Sequence, residues 1–159
     1  MPQLFDDLFY IPPVVDEQRT VAVAVVLADL LNGEGNAEGV TFQVTLMPEF
    51  KADELPTPKA LVFPSGLLIE QTARVGLTED HAIEIGIGRK VVDGEEDGKT
   101  HVRLVEEVID ILKRKEYRVL EVMGEKVYRR SIESMLFIPE KLRQRVALSV
   151  IRWTYREFT

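Results

Sequence analysis

Cysteine is absent from the 159-residue sequence, which excludes disulfides, thiolate nucleophiles and cysteine-ligated zinc or iron–sulfur centres. Histidine occurs only at His81 and His101, so a multi-histidine metal site within one chain is excluded as well. No apolar run approaches the roughly 20 residues a membrane-spanning helix needs. The opening MPQLFDDLFY lacks the basic region and apolar core of a secretory signal. The expectation is a soluble protein made in a cytoplasm, with no membrane partner. Positive charge is scarce: 20 Lys+Arg against 27 Asp+Glu leave a net charge of −7, the wrong balance for wrapping nucleic acid. What remains is ordinary globular composition, 45% hydrophobic and 30% charged. The length suits one domain, which buries about two-thirds of its unfolded surface and needs no covalent or metal staple.

Residues 1–17 differ from the rest. Leu4, Phe5, Leu8, Phe9, Tyr10 and Ile11 are apolar, and Pro12-Pro13 is expected to stop any regular element. This predicts an N-terminal arm, packed on its own domain or reaching a neighbour, followed by one domain over 18–159. Residues 18–31 mix valines with helix-favouring Ala and Leu, and their unbroken length argues for a helix that stops near Asn32-Gly33. Val40, Phe42, Val44 and Leu46 alternate with polar residues, as in a half-buried antiparallel strand. Residues 48–58 carry three prolines and read as a long exposed excursion. ALVFP (60–64) reads as a short buried strand ended by Pro64, with Leu67–Gln71 extending the pairing. In residues 82–92, Ile83, Ile85, Ile87 and Val91 share one face. Gly86 and Gly88 lie on the other, where another backbone or subunit could approach closely. Residues 101–116 have helical spacing in Val102, Val105, Val108, Ile109 and Leu112. One or two short strands are expected over 117–129. The run 142–158 switches parity from Val146, Leu148 and Val150 to Ile151, Trp153 and Tyr155, which predicts a bulge or a bend. The sum is an α+β fold: a mostly antiparallel sheet with two helices on one face.

No motif specifies catalysis. Asp93-Gly94-Glu95-Glu96-Asp97-Gly98-Lys99-Thr100 superficially suggests a phosphate loop, but Asp93 stands where its first glycine belongs, and four carboxylates would repel phosphate. The same stretch places Asp93, Glu95, Asp97 and Gly98 as in a calcium loop, but the twelfth position holds Leu104 in place of a bidentate Glu. It reads as a solvated acidic turn. His81 and His101 have no neighbouring Ser, Cys or paired carboxylate in sequence and read as surface residues. Glu106-Glu107 and Glu95-Glu96 are adjacent carboxylates that do not face each other on a helix. Near the C-terminus, Lys141, Arg143, Arg145, Arg152 and Arg156 interleave with Trp153, Tyr155 and Phe158. That pattern fits a half-buried strand, a stacking surface for single-stranded nucleic acid, or a subunit contact. No catalytic, cofactor or metal residues are assigned.

The order of segments resembles the tail terminator (tail completion) proteins of tailed bacteriophages. The resemblance rests on the opening helix ending Leu30-Leu31-Asn32, and on VTFQVTLMPEF with its excursion to Glu54-Leu55. It continues through KALVFPSG, then Gln71-Thr72-Ala73-Arg74 and the strand EIGIGRKV. An acidic loop, the helix VRLVEEVIDIL, and Ile138-Pro139-Glu140-Lys141-Leu142 leading into a strand that ends Thr154-Tyr155-Arg156 complete it. The resemblance implies a structural virion protein, without enzymatic activity or cofactor, that is assembled in the host cytoplasm. Its copies would form a ring, commonly a hexamer, that caps the tail tube, stops tube polymerisation and meets the head–tail connector or neck proteins. DNA would pass through such a ring without specific binding. Six copies would surround the channel with a charge on the order of −40.

Within that role the tube contact is expected at Pro48, Glu49, Phe50, Lys51, Asp53, Glu54 and Leu55. The subunit contact is expected at Phe5, Phe9, Tyr10, Arg74, Gly86, Gly88, Trp153 and Tyr155. The alternatives are a head–tail joining (head completion) protein of the same particle, or a small acidic adaptor domain of cellular origin.

Overall fold

A computed structural model describes residues 3–50, 55, 57–71 and 77–158. Helix α1 (Gln3–Glu34) leads to β1 (Phe42–Val44), β2 (Lys59–Gln71) and β3 (Leu77–Lys90). Then come α2 (Gly94–Leu112), β4 (Val119–Val122), β5 (Glu125–Met135), the short α3 (Pro139–Arg143) and β6 (Val146–Phe158). The strands form one sheet in the order β1-β2-β3-β6-β5-β4. All pairs are antiparallel except β1 with β2. The architecture is α+β, with α1 and α2 on one face.

That face is the main core. Val23, Ala24, Leu27, Ala28 and Leu31 of α1 and Leu104, Val105, Val108, Ile111 and Leu112 of α2 pack with Ile83, Ile85, Ile87, Ile151, Trp153 and Tyr155 of the sheet. The i, i+3, i+4 spacing along each helix produces these stripes.

The acidic stretch 93–100 is helix, not loop. Asp93 caps α2 and accepts from the Glu96 amide at 3.4 Å. Asp97 reaches back to accept from the Val92 and Asp93 amides at 2.6 and 2.8 Å. Three acidic residues in the first turn also suit the positive end of the helix dipole. These carboxylates satisfy the helix terminus, which removes the geometry a calcium loop needs.

Several other expectations are corrected. Pro12 and Pro13 do not end a regular element, because α1 runs through them. Their fixed φ is itself helical, and the loss falls on the carbonyls four residues earlier, which lack amide donors. β1 is parallel to β2 and only three residues long. The Asn32 side chain occupies part of its other flank, donating to the Phe42 carbonyl at 3.0 Å and accepting from the Phe42 amide at 2.7 Å. Pro64 does not end β2. It lies inside the strand, beside a register shift between Pro64 and Gly66. The hairpin β4–β5 turns at Met123-Gly124, both at positive φ (54° and 80°), as a two-residue primed turn requires. β5 then continues well past the expected limit.

The parity switch in β6 is not a bulge. Its register with β3 is unbroken from Lys90↔Val146 to Thr78↔Phe158. Instead both faces of its first half are covered. Val146 and Leu148 join Phe50, Leu55 and Leu61 in a second, smaller cluster on the far side of the sheet. Phe50 and Leu55 are therefore buried within their own subunit, and the excursion 48–58 is anchored at those two points.

Glycine makes this second cluster possible. A Cβ on Gly86 would lie 2.8 Å from the Phe50 ring, and one on Gly88 only 2.5 Å away. Gly88→Ala should therefore lower stability by roughly 1–3 kcal/mol, as overpacking does. In a Phe50→Ala background the same change should cost far less, because the clash is gone. Urea denaturation of the four proteins checks this; equal costs in both backgrounds would refute the contact.

Candidate functional site

Of the residues expected at a subunit contact, those whose side chains are described do not form a free surface. Trp153 and Tyr155 are fully buried in the main core, and Gly86 and Gly88 lie beneath Phe50. The side chains of Phe5, Phe9 and Tyr10, and all of Arg74, lie outside the described residues. For the tube contact, Pro48 and Glu49 are exposed and Phe50 and Leu55 are buried, whereas Lys51, Asp53 and Glu54 lie outside the described residues. Next to Pro48, Leu46 and Met47 (65% and 82% accessible) form an apolar tip, although alternation with Phe42 and Val44 predicts an inward Leu46.

The basic-aromatic C-terminal run separates by face. Trp153 and Tyr155 point into the core, whereas Arg152 and Arg156 lie on the far side with acidic partners directly across β3. Arg156 binds both oxygens of Asp80 at 2.7 and 3.0 Å, and Arg152 donates to Glu84 at 3.2 Å. The Arg156 hydrogen bond holds the Asp80 carboxyl below its usual range. Lys141 donates to the Phe50 carbonyl at 3.0 Å. Aromatic stacking interleaved with free cations is not what this strand presents.

The sheet has two open edge stretches. From Phe63 onward β2 pairs only with β3, and over Ser131–Met135 β5 pairs only with β6, among the described residues. The hydrogen-bond direction can be followed across the sheet. The Val62 carbonyl accepts from the Thr45 amide at 3.0 Å, so Val62, and by alternation Pro64, turn their backbone groups away from β3. Ile83, opposite Pro64, must then face β6, and Trp153, opposite Ile83, must face β3. Ile132 and Ser134, opposite Trp153 and Ile151, therefore point their amides to the open side of β5. The Arg129 amide, bonded to the Arg118 carbonyl at 2.9 Å, points the same way, because a register shift between Arg129 and Ser131 moves the alternation along β5 by one residue. Pro64 lacks a donor at a position where the edge leaves it unpaired, which is where a strand tolerates proline.

Both histidines are buried, against expectation. His101 on α2 lies 2.7 Å through Nε2 from the Ser149 hydroxyl, and that hydroxyl donates to the Leu136 carbonyl. Nε2 therefore carries the proton. The serine proton is already committed to a carbonyl, so the pair ties α2 to β6 and does not generate a nucleophile. Burial, with Arg89 adding to it, pushes the His101 imidazole down to about 4. Arg89 in turn pairs with Glu38 at 2.5 Å.

His81 belongs to a second polar cluster at the opposite end of the core. It stacks on Tyr155 with centroids 4.8 Å apart and planes within 6°. Its Nε2 lies 3.5 Å from Glu79 and 3.9 Å from Glu157. Arg19 of α1 contacts Glu157 at 3.0 Å and Glu125 at 3.3 Å. Burial, reinforced by Glu157, pushes the Tyr155 phenol up. Glu79 and His81 share a face two positions apart on β3, a pattern visible in the sequence. Glu157 comes from a distant strand, and nothing local announces it.

No protein-family model and no curated protein sequence matches the chain.

The His101 shift sets a pH dependence. The unfolded imidazole takes up a proton below about 6.5, and the folded one only near 4. Stability from the neutral ring is thus complete above 6.5 and declines as pH falls toward 4, by about 3 kcal/mol at most. His101→Gln keeps a donor for Ser149 and should flatten this segment of the stability–pH curve. Parallel curves for the two proteins between pH 7 and 4.5 would contradict the assignment.

Proposed function

We propose that the chain is a structural subunit that closes, in several copies, into a ring on the end of a phage tail tube. The observation that supports this best is the pair of unlike open edges, β2 beyond Phe63 and β5 at Ser131–Met135, on opposite sides of one sheet. An edge strand offers unpaired amides and carbonyls to another chain. Because the two edges differ, a contact between them is heterologous, and heterologous contacts that close generate rings. The segment order that resembles tail terminators supplies the setting: a hexamer capping the tube, with the neck proteins above it and DNA passing through.

The exposed tip Leu46-Met47-Pro48-Glu49 is the surface assigned to the tube protein. It projects beside a β1 too short to bury it, while Phe50 fixes its base. The net charge of −7 per copy would give the channel a field that keeps DNA from adhering in transit.

Electron microscopy of the chain mixed with cognate tail tubes tests the reading directly. Rings at one tube end with uniform tube lengths are expected; tubes that grow unchecked without caps would overturn it. Ser134→Pro removes an outward amide and leaves the β6 pairing intact, so it should cost the subunit less than about 1–2 kcal/mol yet abolish ring closure. Leu46→Glu with Met47→Glu should leave rings intact and tubes uncapped. Capping at wild-type efficiency by either variant would reject the corresponding surface.

A further inference from the structure

Glu79 and Glu157 occupy directly opposite positions on β3 and β6. Like charges so placed repel, and here one of them is 5% accessible. Glu125 and Glu157 both meet the guanidinium of Arg19, whereas Glu79 contacts the His81 imidazole, at 3.5 Å. Arg19 lies on Glu157 Oε2, leaving Glu157 Oε1 buried with no hydrogen-bond partner. His81, 6% accessible, likewise has its Nε2 buried without a hydrogen bond, turned toward both carboxylates. Two orphaned buried atoms of metal-ligating type at one place are costly unless a cation joins them.

We propose that Glu79, His81 and Glu157 form a binding site for a first-row divalent cation, of which zinc is the appropriate probe. One donor atom from each residue lies within 4.8 Å of the others. Ligands on a tetrahedral zinc with bonds near 2.0–2.1 Å stand roughly 3.3 Å apart. The 3.5 Å between His81 Nε2 and Glu79 already fits, whereas Glu157, whose Oε2 lies 3.9 Å from the imidazole but is held by Arg19, would turn its unpartnered Oε1 to the ion, and the donors would draw in from a span of up to 4.8 Å. One imidazole and two carboxylates suit zinc or manganese better than calcium, which takes oxygen alone. The Tyr155 ring fixes the imidazole plane by stacking, and Arg19 orients Glu157 from behind, the outer support that metal ligands require. Glu79, at 24% side-chain accessibility, is the route in from solvent. The cation would join β3 to β6 where their facing carboxylates otherwise repel. It leaves a fourth position for water or for a donor from another molecule. The site does not depend on the ring reading.

The test is calorimetric titration of the chelator-treated full chain with zinc chloride, with melting curves in parallel. One site per chain is expected, and about a hundred-fold excess over Kd should raise the melting midpoint by roughly 5–8 °C. His81→Phe, which keeps the stack on Tyr155, should abolish binding. Glu79→Gln, nearly isosteric, should weaken it at least about tenfold while leaving the metal-free melting point equal or higher, because repulsion is relieved. His101→Gln should bind as wild type does. Absence of saturable binding, or binding that survives both His81→Phe and Glu79→Gln, would overturn the site. So would a metal-free Glu79→Gln protein markedly less stable than wild type, since the cluster would then be a self-sufficient ion-pair network.

Discussion

The pairing of β3 with β6 runs without a register shift along nearly the whole of both strands, and the other elements take their positions from it. It brings Ile83, Ile85 and Ile87 beside Trp153, Ile151 and Ser149, the floor on which α1 and α2 rest. Alternation then fixes what the opposite face receives: Gly86 and Gly88 beside Val150 and Leu148. Two missing side chains create a slot, and Phe50 fills it. A slip of one residue would turn the isoleucines outward and drive the glycines into the helix layer, so the register is strongly specified.

The same alternation sorts charge. On the far face the pairs across β3 and β6 are complementary, Asp80 with Arg156 and Glu84 with Arg152. One residue along, on the core face, the pair is Glu79 with Glu157. The first arrangement is ordinary cross-strand stabilisation, modest at partly exposed positions. The second is not, and its tension is only partly relieved by Arg19. A strand that handles charge well on one face and badly on the other, within the same few residues, points to a compensating group at the strained position.

Where neighbours in sequence are also neighbours in space, the chain was readable in advance. The Ile-rich strand, the helix over 18–31 and most of the stripe on α2 follow from periodicity alone: Val105, Val108 and Leu112 are buried as the spacing predicts, whereas Val102 and Ile109 are only half-buried and Leu104 and Ile111 take the core positions beside them. The failures share a cause: burial decided by distant partners. Phe50 and Leu55 sit in a polar, proline-rich stretch, and distant groups make them core: Leu61, Val146 and Leu148 in one cluster, and for Phe50 the slot over Gly86 and Gly88. Val146 and Leu148 appeared to change parity because two separate clusters claim alternate faces of one strand. His101 and His81 looked like surface histidines because Ser149 and Glu157 lie far off in sequence. The Asp93–Asp97 turn was misread for a local reason, since acidic residues that favour a loop also favour a helix start.

A subunit that keeps its tryptophan and its most buried tyrosine inside has limited means of recognising a copy of itself. Among the described side chains, the exposed apolar ones, such as Met47, Met123 and Met135, belong to different turns and strand ends and make no broad hydrophobic interface. In the proposed ring, backbone hydrogen bonding along an edge would meet the need differently. It is directional and fixes strand register, and it demands few apolar side chains. It also tolerates the repulsion between acidic copies better than a flat apolar contact would, because the bonding groups lie within a strand separation of each other, while the net charge is spread over each surface and screened by salt.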